Sequence, residues 1–455
     1  MITASGLASG LDVDGIVTQL VQAESTPVIQ RLARREAQVQ ADVSAIGAVR
    51  GALGGLSDAL ETLTADGVFA RRTASSASPG HFTASAGSTA QASEYDIEVL
   101  ALAQAQKLAS GSFADAQTAV GTGTLNIDVG GSAFEVSIAD GSQSLAEIRD
   151  AINNAADNTG ARASIINDAG GARLILSAEE TGLANTLTVT RSGGDGGLDA
   201  LVYDPGTLEN LSQIQEPLDA SIKVETFSYS SASNTVTGAI DGVTLSLVQA
   251  DPGTTHRLTV GLDSAAIGSA LEDFTGKLNA AVEVIANVTA YNATTGSASA
   301  LQGDAMMRSL SGQLRDIGFG DLGDTNDRFA TLSELGIRFD GSGKLSVDRA
   351  ALDTALADDF DAVVAAVTGD NGMRARYDTL LSSYIDPEAA LDARTDSLQG
   401  ALDRIDGDRE RLDRRLSAIE ARYRAQFASL ETLVSQMNQT SSFLAQQLQN
   451  INLST

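Results

Sequence analysis

The sequence predicts an α+β multidomain fold, with N- and C-terminal helices forming a coiled coil around an inserted β-rich middle. Three observations carry that expectation: a heptad stripe near the end of the 455 residues, a second helical stripe near the start, and a middle rich in Gly, Ser and Thr with alternating apolar residues. At roughly 100–200 residues per domain, the length suggests two to four domains.

The opening stripe is short at first: Ile16, Val17, Leu20 and Val21. Thr26-Pro27 then reads as an N-cap followed by proline at the first helical position. Val28, Leu32, Val39, Val43, Ile46, Leu53, Leu56, Leu60 and Leu63 continue at helical spacing. Gly47, Gly51, Gly54 and Gly55 weaken that run by roughly 1 kcal/mol each relative to Ala, so a bend or junction is expected there.

From about residue 73 to 270 the period changes. Tyr95, Ile97 and Val99 alternate with acids. Leu125, Ile127 and Val129, then Phe134, Val136 and Ile138, flank Gly130-Gly131 as in a compact hairpin. Ser144-Leu145-Ala146-Glu147 has the form of a capping box, opening a short helix through Ile148 and Ile152. Strands are expected at 161–166 and 173–177, and again at 221–228, 234–248 and 256–262.

Helical spacing returns at about 268 with Leu271, Phe274, Leu278, Val282, Ile285 and Val288. A hairpin at 337–347 and two short helices ending at Gly369 follow. The last stripe runs through Leu398, Leu402, Ile405, Leu412, Leu416, Ile419, Tyr423, Leu430, Leu433 and Met437 in steps of three and four, with Arg409 and Gln426 at two seam positions. A helix from about 397 to 451 would be roughly 80 Å long at 1.5 Å per residue. So narrow a stripe needs a partner helix, which the N-terminal stripe offers. Phe443, Leu444, Leu448 and Ile451 anchor its last turns.

Composition excludes several function classes. With 30 Lys+Arg against 59 Asp+Glu the formal charge is −29, which opposes nucleic acid and anionic membrane surfaces. Residues 73–275 carry −18 of it, whereas 1–72 carry −2 and 398–455 are neutral. Neutral ends can crowd against copies of themselves, while an acidic middle stays solvated. Cysteine is absent, so disulfides, thiolate catalysis and Cys-ligated zinc are out. Only His81 and His256 could serve a histidine relay or a His-rich site, and both read as exposed surface residues. No apolar run reaches membrane-spanning length, and Met1 to Gly6 lacks the basic and apolar regions of a cleaved secretory signal.

The candidate ligand motifs are weak. Gly318-Phe319-Gly320-Asp321-Leu322-Gly323 matches G-x-G-x-x-G without the strand–turn–helix context that dinucleotide binding needs. Asp340-Gly341-Ser342-Gly343-Lys344 begins like a calcium loop but places Lys344 and Leu345 at the fifth and sixth positions, so a tight turn is expected. No catalytic pair stands out and no cofactor is expected. The arginines at 31, 34, 35, 409, 411, 414 and 415 are expected to pair along helix flanks with Glu36, Asp408, Glu410 and Asp413.

The opening from Ile2-Thr3-Ala4-Ser5-Gly6-Leu7-Ala8-Ser9-Gly10-Leu11-Asp12 through Glu24-Ser25-Thr26-Pro27 resembles the N-terminal signature of the bacterial flagellar filament cap family, also called hook-associated protein 2. The stretches Tyr423 to Glu431 and Met437 to Leu444 resemble that family's C-terminal signature. Residues 124–189 resemble its flagellin-hook insertion motif, and Ser233 to Leu245 is similar to a further family stretch.

The resemblance implies terminal coiled-coil helices at 1–46 with 405–455, and a helical and mixed α/β leg domain at 47–77 with 268–404. It also implies inserted β-rich head domains: one at 78–117 with 216–267, and an outer head at 118–215 carrying the insertion-type motif. It implies a structural role with no enzyme activity: a ring-shaped homo-oligomer at the extracellular tip of the flagellum, exported by the flagellar type III route without a cleaved signal. Implied partners are other copies of the chain, flagellin, the hook–filament junction protein and an export chaperone at the C-terminal helix. The residues expected to make oligomer or filament contacts are Ile16, Leu20, Leu32, Val39, Val43, Ile46, Leu402, Ile405, Leu412, Leu416, Ile419, Tyr423, Leu430, Met437, Phe443, Leu444 and Leu448. Flagellin or a junction protein, and a surface adhesin using the head, are the alternatives.

Overall fold

The computed structural model describes residues 12–452 apart from 295, 321–327 and 342, with side chains described as far as residue 448. The opening signature up to Leu11, the end of the glycine motif (321–323) and Ile451 as an anchor lie outside the described residues or side chains. The chain forms two compact units. One joins the N-terminal residues up to Val68 to 267–455; the other, Phe69–Ala266, interrupts it in sequence.

The N-terminal helix α1 (Val13–Thr62) is capped by Asp12, whose carboxylate accepts from the Gly15 amide at 2.9 Å. The helix therefore starts fourteen residues before Pro27 rather than at it. Pro27 sits inside α1 on an exposed face, where the structure tolerates a residue without an N–H. No junction interrupts the helix at Gly47–Gly55. Val49, Leu53 and Leu56 are fully buried and hold that stretch, while Gly47, Gly51 and Gly54 have open space where a side chain would stand. Burial of the leucine stripe outweighs the glycine propensity cost.

The interrupting unit holds two cores. Its strands run in chain order as β1 (Arg72–Ser76), β2 (Phe82–Ala86), β3 (Ser93–Ala101), β4 (Lys107–Ala109), β5 (Gly123–Val129) and β6 (Ser132–Ile138). Helix α2 (Leu145–Asn153) follows, then β7 (Ala161–Asp168), β8 (Gly171–Ala178), β9 (Leu187–Ser192), β10 (Tyr203–Asp204), β11 (Leu208–Glu209) and β12 (Ser212–Gln215). The last are β13 (Ala220–Val224), β14 (Phe227–Ser231), β15 (Thr235–Ile240), β16 (Val243–Leu247) and β17 (His256–Leu262). The expected strands 221–228 and 234–248 each divide into two. Glu225 takes a positive φ of 56° between β13 and β14, and Gly242 one of 70° between β15 and β16.

One core packs the sheet β1-β17-β3-β13-β14 with the sheet β15-β16-β2, through Phe82, Ile97, Val99, Ile222, Leu245 and Leu258. The other packs β11-β10-β9-β5-β6 and β12-β4-β8-β7 with α2, through Leu125, Ile127, Phe134, Ile148, Leu174 and Leu187. Its hairpin turns at Gly130-Gly131, with φ of 59° and 88°, a conformation glycine adopts without steric cost. The capping box is complete: Ser144 Oγ accepts from Glu147 N at 3.3 Å, and Glu147 accepts from Ser144 N at 3.0 Å. The histidines depart from expectation. His256 opens β17 at 8% exposure, because the alternating pattern of that strand turns it inward, and its ring stacks on that of His81.

The first unit resumes with α3 (Ser264–Thr289), the strand pair β18 (Tyr291–Asn292) and β19 (Ser297–Ala298), and α4 (Ala305–Phe319). The hairpin β20 (Ile337–Phe339) and β21 (Leu345–Val347) follows, and Asp340 closes its turn by accepting from Lys344 N at 3.0 Å. Then come α5 (Arg349–Asp358), α6 (Phe360–Thr368), α7 (Met373–Ile385) and α8 (Ala390–Asn452). The core around α7 joins α1, α4 and α8. Buried Tyr377 meets Phe274 edge-on at 5.2 Å and donates to Leu314 O at 3.0 Å. Burial raises its phenol pKa above the ordinary tyrosine value.

Candidate assembly surface

Helices α1 and α8 pack against each other, and four ion pairs define their direction. Arg50 meets Asp392, Glu36 meets Arg409, Glu24 lies 3.9 Å from Arg415, and Asp14 meets Arg424. As the α1 number falls the α8 number rises, so the pair is antiparallel. The heptad seam explains the apolar contact; the ion pairs set its register.

Arg409 occupies a seam position, and its guanidinium reaches across to both oxygens of Glu36, one of them at 3.1 Å. This fork is a charge-assisted pair of hydrogen bonds. Arg409 holds the Glu36 carboxyl below the ordinary glutamate range, chiefly by that hydrogen bond. Arg411 pairs with Asp408 and Arg414 with Glu410, as flank pairing predicts. The pairs to Asp14 and Glu24 were missed. A fixed antiparallel register carried outward from Glu36–Arg409 sets Asp14 opposite Glu431 and Glu24 opposite Ala421, so the sequence held no direct signal for either pair.

Burial along the pair is graded. Among the residues expected to make contacts, Leu32, Val39, Ile46, Ile405 and Ile419 are buried within the unit. Ile16, Val43, Leu402, Leu412, Leu416 and Tyr423 are half-buried. Leu20, Leu430, Met437, Phe443, Leu444 and Leu448 are exposed. Beyond Arg424, helix α8 continues for about 40 Å at 1.5 Å per residue. Leu430, Leu433, Met437, Phe443, Leu444 and Leu448 along it are 43–64% exposed. An apolar stripe of this extent, bare in a single chain, marks an interaction surface. No described helix is long and apolar enough to cross a membrane, so the stripe is not a membrane span.

Antiparallel terminal helices, an interrupting β unit and a bare helical stripe define an assembly protein. The sequence matches the models described as flagellar hook-associated protein 2 N-terminus at residues 9–106 and C-terminus at 218–439, and the flagellin hook IN motif at 124–180. It is 32% identical to the B-type flagellar hook-associated protein 2 of Pseudomonas aeruginosa, over 95% of each chain. It is 30% identical to the flagellar hook-associated protein 2 of Escherichia coli, over 99% of this chain and 98% of that one. A crystal structure of the Escherichia coli flagellar cap protein FliD superposes with a TM-score of 0.63 at 30% identity, covering 78% of this chain and 99% of that one. The chain belongs to the flagellar hook-associated protein 2 family, the filament cap proteins of bacterial flagella.

Proposed function

We propose that this protein forms a ring-shaped homo-oligomer at the distal tip of the filament, where it retains exported flagellin and promotes its folding and insertion. The bare stripe on α8 carries the proposal, because each exposed leucine gains roughly 1.5–3 kcal/mol when fully buried, and another subunit can supply that cover. The residues of the stripe would meet neighbouring cap subunits, flagellin or the junction protein. Before assembly an export chaperone would cover the same helix during passage through the flagellar type III route. The work is templated assembly, with no bond chemistry.

The chain is proposed to divide into terminal helices (1–46 with 405–455), a leg (47–77 with 268–404), a head (78–117 with 216–267) and an outer head (118–215). The two separate cores of the interrupting unit support the head division. Phe227, 76% exposed on the edge strand β14, supports contact between heads. Deleting 430–455 tests the assembly role, with secretion scored separately from capping. The expected result is a folded protein that forms no rings by electron microscopy when purified and restores no motility at whatever level it is secreted, with secretion itself reduced where the chaperone needs the deleted stripe. Normal filament growth from the truncated protein would overturn it.

A further inference from the structure

The chain's only two histidines, 175 positions apart in sequence, stack face to face in the interrupting unit with ring centroids 4.2 Å apart and planes 15° from parallel. His81 closes the turn before β2, its amide donating to Ser78 O at 3.0 Å. His256 begins β17. Asp251 lies in the loop between β16 and β17, anchored by its amide to Val99 O at 2.9 Å. That loop is tied to His81 by two further bonds, from Val248 N and Gln249 N to the His81 carbonyl at 2.8 and 3.1 Å. The backbone therefore holds the three side chains together independently of any attraction between them.

Two ring nitrogens in this cluster, His81 Nδ1 and His256 Nε2, are shut off from water and make no hydrogen bond. His256 Nε2 lies 3.3 Å from Asp251 Oδ2 without hydrogen-bond alignment. Buried polar atoms are normally paired, so two orphaned imidazole nitrogens beside a carboxylate call for a ligand that accepts lone pairs. One donor atom from each of His81, Asp251 and His256 lies within 4.8 Å of the others.

We propose that His81, Asp251 and His256 form a binding site for a divalent late transition cation, zinc above all. Ligands at about 2.0–2.1 Å in a tetrahedral zinc site stand about 3.4 Å apart, close to the His256–Asp251 separation. The other donors lie within 4.8 Å of one another, so the remaining edges close by at most about 1.4 Å when the half-buried His81 ring turns out of the stack and aims its lone pair at the ion. Two imidazoles and one carboxylate select zinc, cobalt, nickel or copper over magnesium and calcium, which prefer all-oxygen shells. The fourth position is left for water. His81 leads into β2 and His256 opens β17, which belong to different sheets of one module. A bound ion cross-links those sheets without a disulfide, which a chain lacking cysteine cannot form.

The full-length protein, stripped of metal, is titrated with zinc chloride by calorimetry and with cobalt(II) by visible absorption. The expected result is one tight equivalent of zinc and the absorption of tetrahedral cobalt. H81N and D251N, which alter side chains at the rim of the core, should each weaken zinc binding at least tenfold while circular dichroism stays that of the wild type. H256N should do the same; if it fails to fold, the two rim variants decide. Absence of a stoichiometric zinc in the wild type overturns the site and leaves a stacked histidine pair with a packing role. Retention of full affinity in either rim variant also overturns it, because the zinc would then sit on surface carboxylates.

Discussion

Arg409 stands where a heptad repeat asks for an apolar side chain, and the structure gives the reason: Glu36 faces it across the helix pair. The carboxyl of Glu36 is held below its ordinary value of 4.5, so proton uptake is harder in the folded pair than in the unfolded chain. Its stabilising contribution is complete above that unfolded value. It is lost as the pH falls through the lower folded value. Glu36→Gln should therefore lower the melting temperature of the helix pair at neutral pH, followed by far-UV circular dichroism. The gap between variant and wild type should close on acidification below about 4.5; a gap independent of pH would show that the charge of Glu36 is irrelevant. The sequence named both residues as members of a charged flank. It did not pair them uniquely, because one helix face offers several partners and only the packed register chooses. His256 was unreadable for a related reason: the alternation of a strand shows that it has two faces, not which one the neighbouring sheet covers.

Elements whose start is fixed by local chemistry were legible. The capping box at Ser144 and Glu147 and the hairpin at Gly130-Gly131 stand where their residues place them, since both are decided within a few positions. Helix α1 was not, because Thr26-Pro27 carries a strong local start signal that long-range burial overrides. Val13 and Val17, buried ahead of Pro27, belong to the same helix as Leu32 and Val39 behind it. Pro27 lacks the N–H that an interior helical position donates, and its ring crowds the preceding turn. Its exposed side chain makes Pro27→Ala a clean test. The substitution should stabilise the helix pair by about 1–3 kcal/mol, seen as a higher denaturant midpoint with an unchanged slope. Destabilisation instead would mean that the proline itself serves the fold of α1, by favouring a local bend with which the helix meets α8.

At the scale of the whole molecule, apolar cover is unevenly shared. The seam from Leu398 to Ile419 shelters against the chain's own helices, with Ile405 1% exposed, while the stretch from Leu430 onward stands bare. The difference separates two kinds of residue that look alike as heptad positions. Replacing buried Ile405 by Ala removes packing inside one chain and should cost about 2–5 kcal/mol, melting the helix pair whether or not other subunits are present. Replacing Leu433, Met437 and Leu444 together by Ser removes little that the single chain buries, so its unfolding midpoint should move little beyond the helix-propensity cost of about 0.5 kcal/mol per residue. What should change is association. Analytical ultracentrifugation should find the triple-serine protein in its smallest species at concentrations where the wild type assembles, and the effect should persist in high salt, because it removes apolar area rather than charge. If the triple variant instead lost its own fold, the distal stripe would be covered by the chain itself and its leucines would belong with Ile405. If it folded and assembled like the wild type, another surface, with Phe227 on β14 foremost, would have to hold the subunits together.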